Sequence, residues 1–291
     1  IKWKKSMRWS THSDRWIRPI LNILCIYNKK IVKFNFANLK SNNITYGNYH
    51  YSSKKLKCST FSEYQKILRK NYVLLDDNIR KEKILSELKK FSKKNNFQKK
   101  LDLPLLKRTS DSVEWPNVFF GSFEVEFFKL PYFLIETIIK EKQDNFCFYN
   151  LNGELSNYFA FVSNKDLVKK NKLIEGNQNV LRARFEDARF FIDEDLKVSL
   201  DQRIKKLSSI IFYDNLGSLK DRAFRIVDLC EVISIKLNFK INSFKSELIY
   251  SNFDLTTDIV KEYPTLQGLA GGFYSKIFKF NESVSEAFSN Q

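Results

Sequence analysis

Between Gly176 and Asp195 the chain reads Gly-Asn-Gln-Asn-Val-Leu-Arg-Ala-Arg-Phe-Glu-Asp-Ala-Arg-Phe-Phe-Ile-Asp-Glu-Asp, placing Arg182, Arg184 and Arg189 around Asp187. A guanidinium is a planar fork of donors that fits a phosphate or a carboxylate, so the spacing suits two chemistries. In one, Arg182 and Arg184 hold RNA phosphates or a partner subunit. In the other, Arg184 and Asp187 lie three residues apart on a helix and form a structural ion pair. Asn177 is a candidate N-cap for that helix. Phe190 and Phe191 anchor its far end in a core.

A second basic cluster lies early, where Arg8, Arg15 and Arg18 alternate with Trp3, Trp9 and Trp16. Such mixtures bind nucleic-acid backbone and stack on bases, and strand edges over a core share the composition. Arg8 and Arg18 are therefore candidate RNA-binding or interface residues beside Arg182 and Arg184. Further along, Gly217 can end a helix, Ser218 can cap the next, and Asp221 can pair with Arg225. The run from Asp254 to Asp258 starts a helix that stops at Pro264, and Gly271-Gly272 allows close backbone approach. No phosphate-binding glycine loop or nucleophile elbow is present. The four Cys (Cys25, Cys58, Cys147, Cys230) form no CxxC pair, and the two His, His12 and His50, are too few for a His-based metal site or triad. No catalytic residue and no metal ligand is assigned.

The elements that carry these residues change character along the chain. Residues 1–60 are expected to be β-rich, with strands over Ile20–Tyr27 and Ile31–Phe36. Ser62 is expected to cap a helix reaching Asn71, and Asp76 or Asp77 a second with Ile84, Leu88 and Phe91 on one face. That second helix is expected to carry Lys89, Lys90, Lys93, Lys94, Lys99 and Lys100; it is either a solvated face or a binding surface. A strand follows Trp115-Pro116, a helix spans Leu130–Lys142, and Asn152-Gly153 marks a hairpin. From Asn177 on, helical periods dominate, over about 177–198, 200–213, 218–238, 241–250 and 254–262. The expected fold is α+β: a mixed α/β body over 1–170 and an all-helical domain over 171–291.

The bulk properties bound the function. The 291 residues are 43% hydrophobic, enough for real cores, and carry a formal charge of +17. That excess favours a polyanion, nucleic acid first. The abundance of Lys, Asn, Ile and Phe is also what an AT-rich genome produces. No apolar run reaches membrane-spanning length, Ile17–Tyr27 being too short, and no membrane partner is expected. The cysteine pattern suits a reducing compartment. The first residue is Ile1, so an internal fragment is expected.

Several blocks resemble, in order, the β subunit of bacterial-type glycyl-tRNA synthetase. They are Lys5-Ser6-Met7-Arg8-Trp9, Trp16-Ile17-Arg18-Pro19-Ile20, Glu114-Trp115-Pro116, and the Gly176–Asp195 block with its Leu-Arg-Ala-Arg and Asp-Ala. Leu216-Gly217 with Asp221-Arg222 and Arg225-Ile226 follows, then Asp254-Leu255, Val260, Glu262, Pro264, Leu266-Gln267-Gly268 and Tyr274. The resemblance implies a chain without the catalytic site of its enzyme. It would bind tRNA(Gly) and support a separate α subunit that uses ATP and Mg to attach glycine, within an α2β2 assembly containing a second β subunit. No cofactor is expected on this chain itself, and the location implied is the cytoplasm of a bacterium, an AT-rich symbiont or an organelle. The helical part is similar to HD-type domains, incomplete at its C-terminal end. Three places depart from the family pattern: Gly47-Asn48-Tyr49 with His50 displaced, Lys142-Gln143-Asp144-Asn145-Phe146, and Tyr213 where some relatives carry His. Two alternatives stand beside this reading: an HD-type metal phosphohydrolase using Asp221 and Asp254, and a non-enzymatic basic RNA-binding module.

Overall fold

The computed structural model describes residues 5–9, 11, 13–52, 54–98, 100–165, 170–238 and 245–291. Trp3, His12 and Lys99 lie outside them. The fold is mixed α+β, with small sheets and helix dominating the second half. The chain divides into two compact units. One comprises Ile1–Phe120, Asp144–Glu154 and Phe159–Ile174; the other comprises Gly121–Gln143, Leu155–Tyr158 and Glu175–Gln291.

The first unit opens with short antiparallel hairpins rather than the expected longer strands. β1 (Ile26–Tyr27) pairs with β2 (Lys30–Ile31), β3 (Asn35–Phe36) with β4 (Leu39–Lys40), and β5 (Ile44–Tyr46) with β6 (Lys55–Lys57). The cause is local. Asn28 and Lys29, then Ala37 and Asn38, all have positive φ, the turn that reverses a chain in two residues. Each ladder ends before the apolar run can extend it, and Leu21 is left 88% exposed.

Helix α1 (Phe61–Lys70) is capped by Thr60, whose side chain accepts from the Glu63 amide, so the expected cap Ser62 lies just inside. Its far end closes with the Val73 amide donating to the Leu68 carbonyl at 2.9 Å. This bond wraps the last turn around Tyr72, held at φ 60°. Glycine usually fills that left-handed position, and another residue there costs about 1–2 kcal/mol. Helix α2 (Asp77–Lys94) starts at its expected cap, Asp76, and buries Ile84 and Leu88. Helix α3 (Leu103–Ser112) is capped by Asp102.

Strands β7 (Asn117–Ser122), β8 (Phe146–Tyr149) and β9 (Leu155–Ser163) form one sheet in the order β7-β9-β8. The Asn152-Gly153 turn joins β8 to β9, with Gly153 at φ 87°. α2, α3 and the sheet bury a shared core of Ile84, Leu88, Leu105, Leu106, Phe146, Phe148 and Ala160. Phe91 stacks on Phe120 at 4.0 Å between ring centres.

In the second unit, the helix expected over Leu130–Lys142 is α4 (Tyr132–Thr137), with Pro131 as its cap and a π-helical turn over Ile138–Lys142. Helix α5 (Lys170–Lys197) is the longest described element. It begins before Asn177, which is therefore an interior residue and not the cap. After it come α6 (Leu200–Leu207), the pair β10 (Ile211–Tyr213) and β11 (Gly217–Ser218), α7 (Leu219–Lys236) and α8 (Lys245–Leu248). Three short helices close the chain: α9 (Asp258–Glu262), α10 (Leu269–Ile277) and α11 (Glu282–Ser289). The helix expected over 200–213 stops early because Phe212 and Tyr213 join a hairpin, and Gly217 sits in that hairpin at φ 79° rather than ending a helix. Gly272 lets α10 and α11 meet: an added Cβ would lie 2.8 Å from the Ser285 carbonyl oxygen.

Candidate nucleic-acid interface

Helix α5 buries Leu181, Phe185 and Ala188 along one stripe and turns Arg182, Glu186, Asp187 and Arg189 outward. Phe185 meets Phe123 and Phe127, each at 5.1 Å between ring centres. That packing sets Arg182 beside Glu124. Arg182 Nε donates to Glu124 Oε1 at 2.7 Å, Nη2 donates to the same oxygen, and Nη1 donates to Asn179 Oδ1. The guanidinium hydrogen bond holds the Glu124 carboxyl below the usual range, and the pairing raises Arg182 in turn. One helical turn earlier, Gln178 Nε2 donates to the Ser122 carbonyl at 2.6 Å. Arg182 thus ties α5 to the segment after β7, and its fork is already engaged within the unit.

Arg184 and Asp187 do not form the expected ion pair: none joins them among the described residues. The spacing would allow a pair, but Arg184 lies on the half-buried side of α5 while Asp187 is exposed to solvent. Arg184 is half-buried, and its Nε has no acceptor among the described residues. Both charges act on the Tyr263 hydroxyl, which burial first, and then Glu262, push up to about 12. Arg189 is exposed.

Near the start of the chain, Met7 and Trp16 form an antiparallel bridge, with amide-to-carbonyl bonds of 2.7 and 3.1 Å. The bridge leaves Arg8 and Arg18 exposed. Arg15 is engaged, donating to the Ser6 hydroxyl and carbonyl. Trp16 packs edge-on to Phe36 at 5.9 Å. On α2, Lys90 pairs with Glu87, while Lys89, Lys93 and Lys94 are exposed. The structure therefore presents Arg8, Arg18, Arg189 and the α2 lysines to solvent, and commits Arg182 to an internal pair.

The sequence reading did not foresee a buried polar cluster in the second unit. Asp195 closes the buried stripe of α5 and is 2% exposed. Its carboxylate accepts from the Asp258 amide at 2.9 Å, the Ile259 amide at 3.2 Å and the Tyr274 hydroxyl at 2.9 Å. Arg203, on α6 and wholly buried, donates to Asp195 Oδ1 at 3.3 Å, to the Asp195 carbonyl, and to Thr256 Oγ1 at 3.2 Å. The signal was present: Asp195 continues the helical spacing of Leu181, Phe185 and Ala188, and a charge on an apolar stripe needs a buried partner.

The residues considered as metal ligands have other work. Asp221 caps α7 with Ser218, accepting from the Ser218 amide at 2.7 Å, and those hydrogen bonds lower its carboxyl pKa. Asp254 is buried, which raises its pKa, and accepts from the Gly268 amide at 2.7 Å. Among the described residues, no three His, Cys, Asp or Glu side chains gather as a metal site would require. No described helix is long and apolar enough to cross a membrane.

The family described as "Glycyl-tRNA synthetase beta subunit" matches residues 1–291. The chain is 37% identical over 288 residues to the glycine–tRNA ligase beta subunit of Rickettsia prowazekii, covering 98% of this chain and 42% of that relative. To the glycine–tRNA ligase beta subunit of Bacillus subtilis it is 33% identical over 290 residues, covering 99% of this chain and 43% of the relative. It thus spans about two-fifths of the length of these curated relatives. With the family matching from end to end of the sequence, the chain belongs to the glycyl-tRNA synthetase β subunit family.

Proposed function

We propose that this chain acts as part of a glycine–tRNA ligase β subunit, binding tRNA(Gly) and supporting a separate α subunit that activates glycine with ATP and Mg. The observation that carries the reading is the family match along all 291 residues. The charge of +17 and the exposed Arg8, Arg18, Arg189, Lys89, Lys93 and Lys94 support it, as cations able to contact phosphates. Arg182 has a different part in this reading: through Glu124 it holds α5 in place instead of meeting RNA directly, while Arg184 remains an interface candidate. The assembly is an α2β2 heterotetramer, working in the bacterial cytoplasm.

The helical part over 171–291 is read as HD-like but without hydrolytic function, since Asp221 and Asp254 are engaged in capping and backbone contacts. In this reading the catalytic groups, ATP and Mg belong to the α subunit.

Mixing the full chain with a matching α subunit, tRNA(Gly), glycine and ATP tests the reading. Charging should rise above that of α alone, and tRNA affinity should fall steeply with salt. Absence of any stimulation would overturn it.

A further inference from the structure

Three aromatic rings from separate stretches meet on the first unit. The Tyr51 and Tyr72 rings stack at 4.4 Å with their planes 24° apart, and Trp115 meets Tyr72 edge-on at 5.4 Å. Tyr72 is 41% exposed, and Tyr49, two residues before Tyr51, is 86% exposed. The surroundings are basic. Lys83 Nζ lies 4.1 Å from the centre of the Trp115 ring, and Arg69 and Lys70 end α1 next to Tyr72.

The arrangement is braced from several sides. The Asn48 amide donates to the Asn71 carbonyl at 2.9 Å, and Ser52 Oγ donates to Asn71 Oδ1 at 2.9 Å. Gly47 permits that approach, because a Cβ there would lie 2.6 Å from Asn71 Cβ. Asn48, itself 1% exposed, donates to Glu114 Oε2 at 3.0 Å, next to Trp115. Asn117 Nδ2 donates to the Tyr51 hydroxyl at 3.1 Å. The rings are therefore held in place before any ligand arrives, as a recognition surface requires.

Tyr72 is also the wrong residue for its backbone. It occupies the left-handed position closing α1, where glycine fits without strain. A ring that serves only as packing would gain most by full burial, yet this one stays open to solvent. Strain retained at an exposed aromatic points to use of its surface.

We propose that the Tyr51–Tyr72–Trp115 cluster is a stacking platform for an unpaired base of single-stranded RNA, with Arg69 and Lys70 beside it for the phosphates. The proposal rests on the tRNA-binding reading and assigns a place to it. Every base has a π face, so stacking of this kind tolerates different sequences. The basic rim favours a polyanion over an apolar protein segment or a neutral sugar.

The test uses the full chain, a fluorescein-labelled short single-stranded oligoribonucleotide and a tRNA(Gly) transcript, with affinity read by anisotropy across salt concentrations. Tyr72→Gly removes the ring and also relieves the backbone strain, so the turn itself is preserved; Tyr72→Phe keeps the stacking face. Tyr72→Gly should weaken oligonucleotide binding about 5- to 100-fold with an unchanged salt slope, because no phosphate contact is lost. Tyr72→Phe should bind like the parent. Melting curves establish that both variants are folded, and if Tyr72→Gly does not fold, Tyr72→Asn replaces it, since Asn also tolerates the left-handed region. If the parent binds both RNAs and the folded ring-less variant binds them equally well, the platform is overturned while the tRNA-binding reading stands. If the parent binds neither RNA, both fall.

Discussion

Replacing Arg203 by Met removes the positive member of the buried Asp195 cluster and keeps much of its volume. Arg203 is wholly buried and Asp195 is 2% exposed, so water cannot take over the solvation of the carboxylate left behind. Breaking one half of such a pair costs about 3–5 kcal/mol. Two features reduce the loss. The Asp258 and Ile259 amides and the Tyr274 hydroxyl still donate to the carboxylate. Arg203 Nε also has no acceptor among the described residues, and removing an unmade bond returns about 1 kcal/mol. The expected net destabilisation is about 2–4 kcal/mol, a roughly 30- to 1,000-fold shift in the ratio of folded to unfolded chain. Adding Asp195→Asn should then cost less than it does alone, with a coupling of about 1–3 kcal/mol. Urea unfolding followed by circular dichroism, on the parent, both single variants and the double variant, measures all four corners. A loss below about 1 kcal/mol for Arg203→Met, or additive effects in the double variant, would refute the account of this cluster as a mutually dependent unit.

Three other outcomes follow from the same structure. The Tyr263 hydroxyl is pushed up to about 12, whereas an unfolded tyrosine ionises near 10; its stabilisation is complete below about pH 10 and is lost as pH rises towards 12. Tyr263→Phe should flatten the fall in stability across that window, measured as urea midpoints from pH 9 to 12, and an unchanged slope would count against it. Gly272→Ala drives a methyl into the Ser289 hydroxyl and to 2.8 Å from the Ser285 carbonyl oxygen. It should destabilise the α10–α11 pair by about 1–3 kcal/mol, seen in thermal melts; a melt like the parent's would mean the helices part freely. Ser218→Ala removes the side chain that accepts from the Asp221 amide at 3.2 Å and should cost about 1 kcal/mol. Hydrogen exchange at the first turn of α7 reads that loss, and protection equal to the parent's would dismiss the cap.

The parts of the fold legible in the sequence were those decided by neighbouring residues. Asp76 and Ser218 announce helix starts because their side chains accept from amides two or three residues on. Asn152-Gly153 announces the β8–β9 turn because glycine takes a positive φ there. Where distant packing decides, the pattern misled. The helix seen from Asn177 begins by Lys170, and Gly176 is carried inside it with open space where a Cβ would go. The apolar run at Ile20–Tyr27 was read as one strand, but positive-φ turns cut the pairing to two residues. Of the candidate site residues, Arg8 and Arg18 are exposed, while the Glu124 partner of Arg182 is 58 residues away in sequence and carries no local signal. Asp187 shares a helix with Arg184, and that proximity in sequence suggested a pair, but Arg184 sits half-buried while Asp187 stays in solvent.

Asp195 has a consequence for the timing of motion as well as for stability. One carboxylate receives bonds from α6, from the start of α9 and from α10, while its own backbone belongs to α5. No one of these helices can detach without stripping a donor from the same anion. Local fraying is therefore discouraged, and the four helices should open together. The amide protons of Asp258 and Ile259 report on that directly: they should exchange with solvent only in the slowest class, at one common rate, like threads held by a single knot.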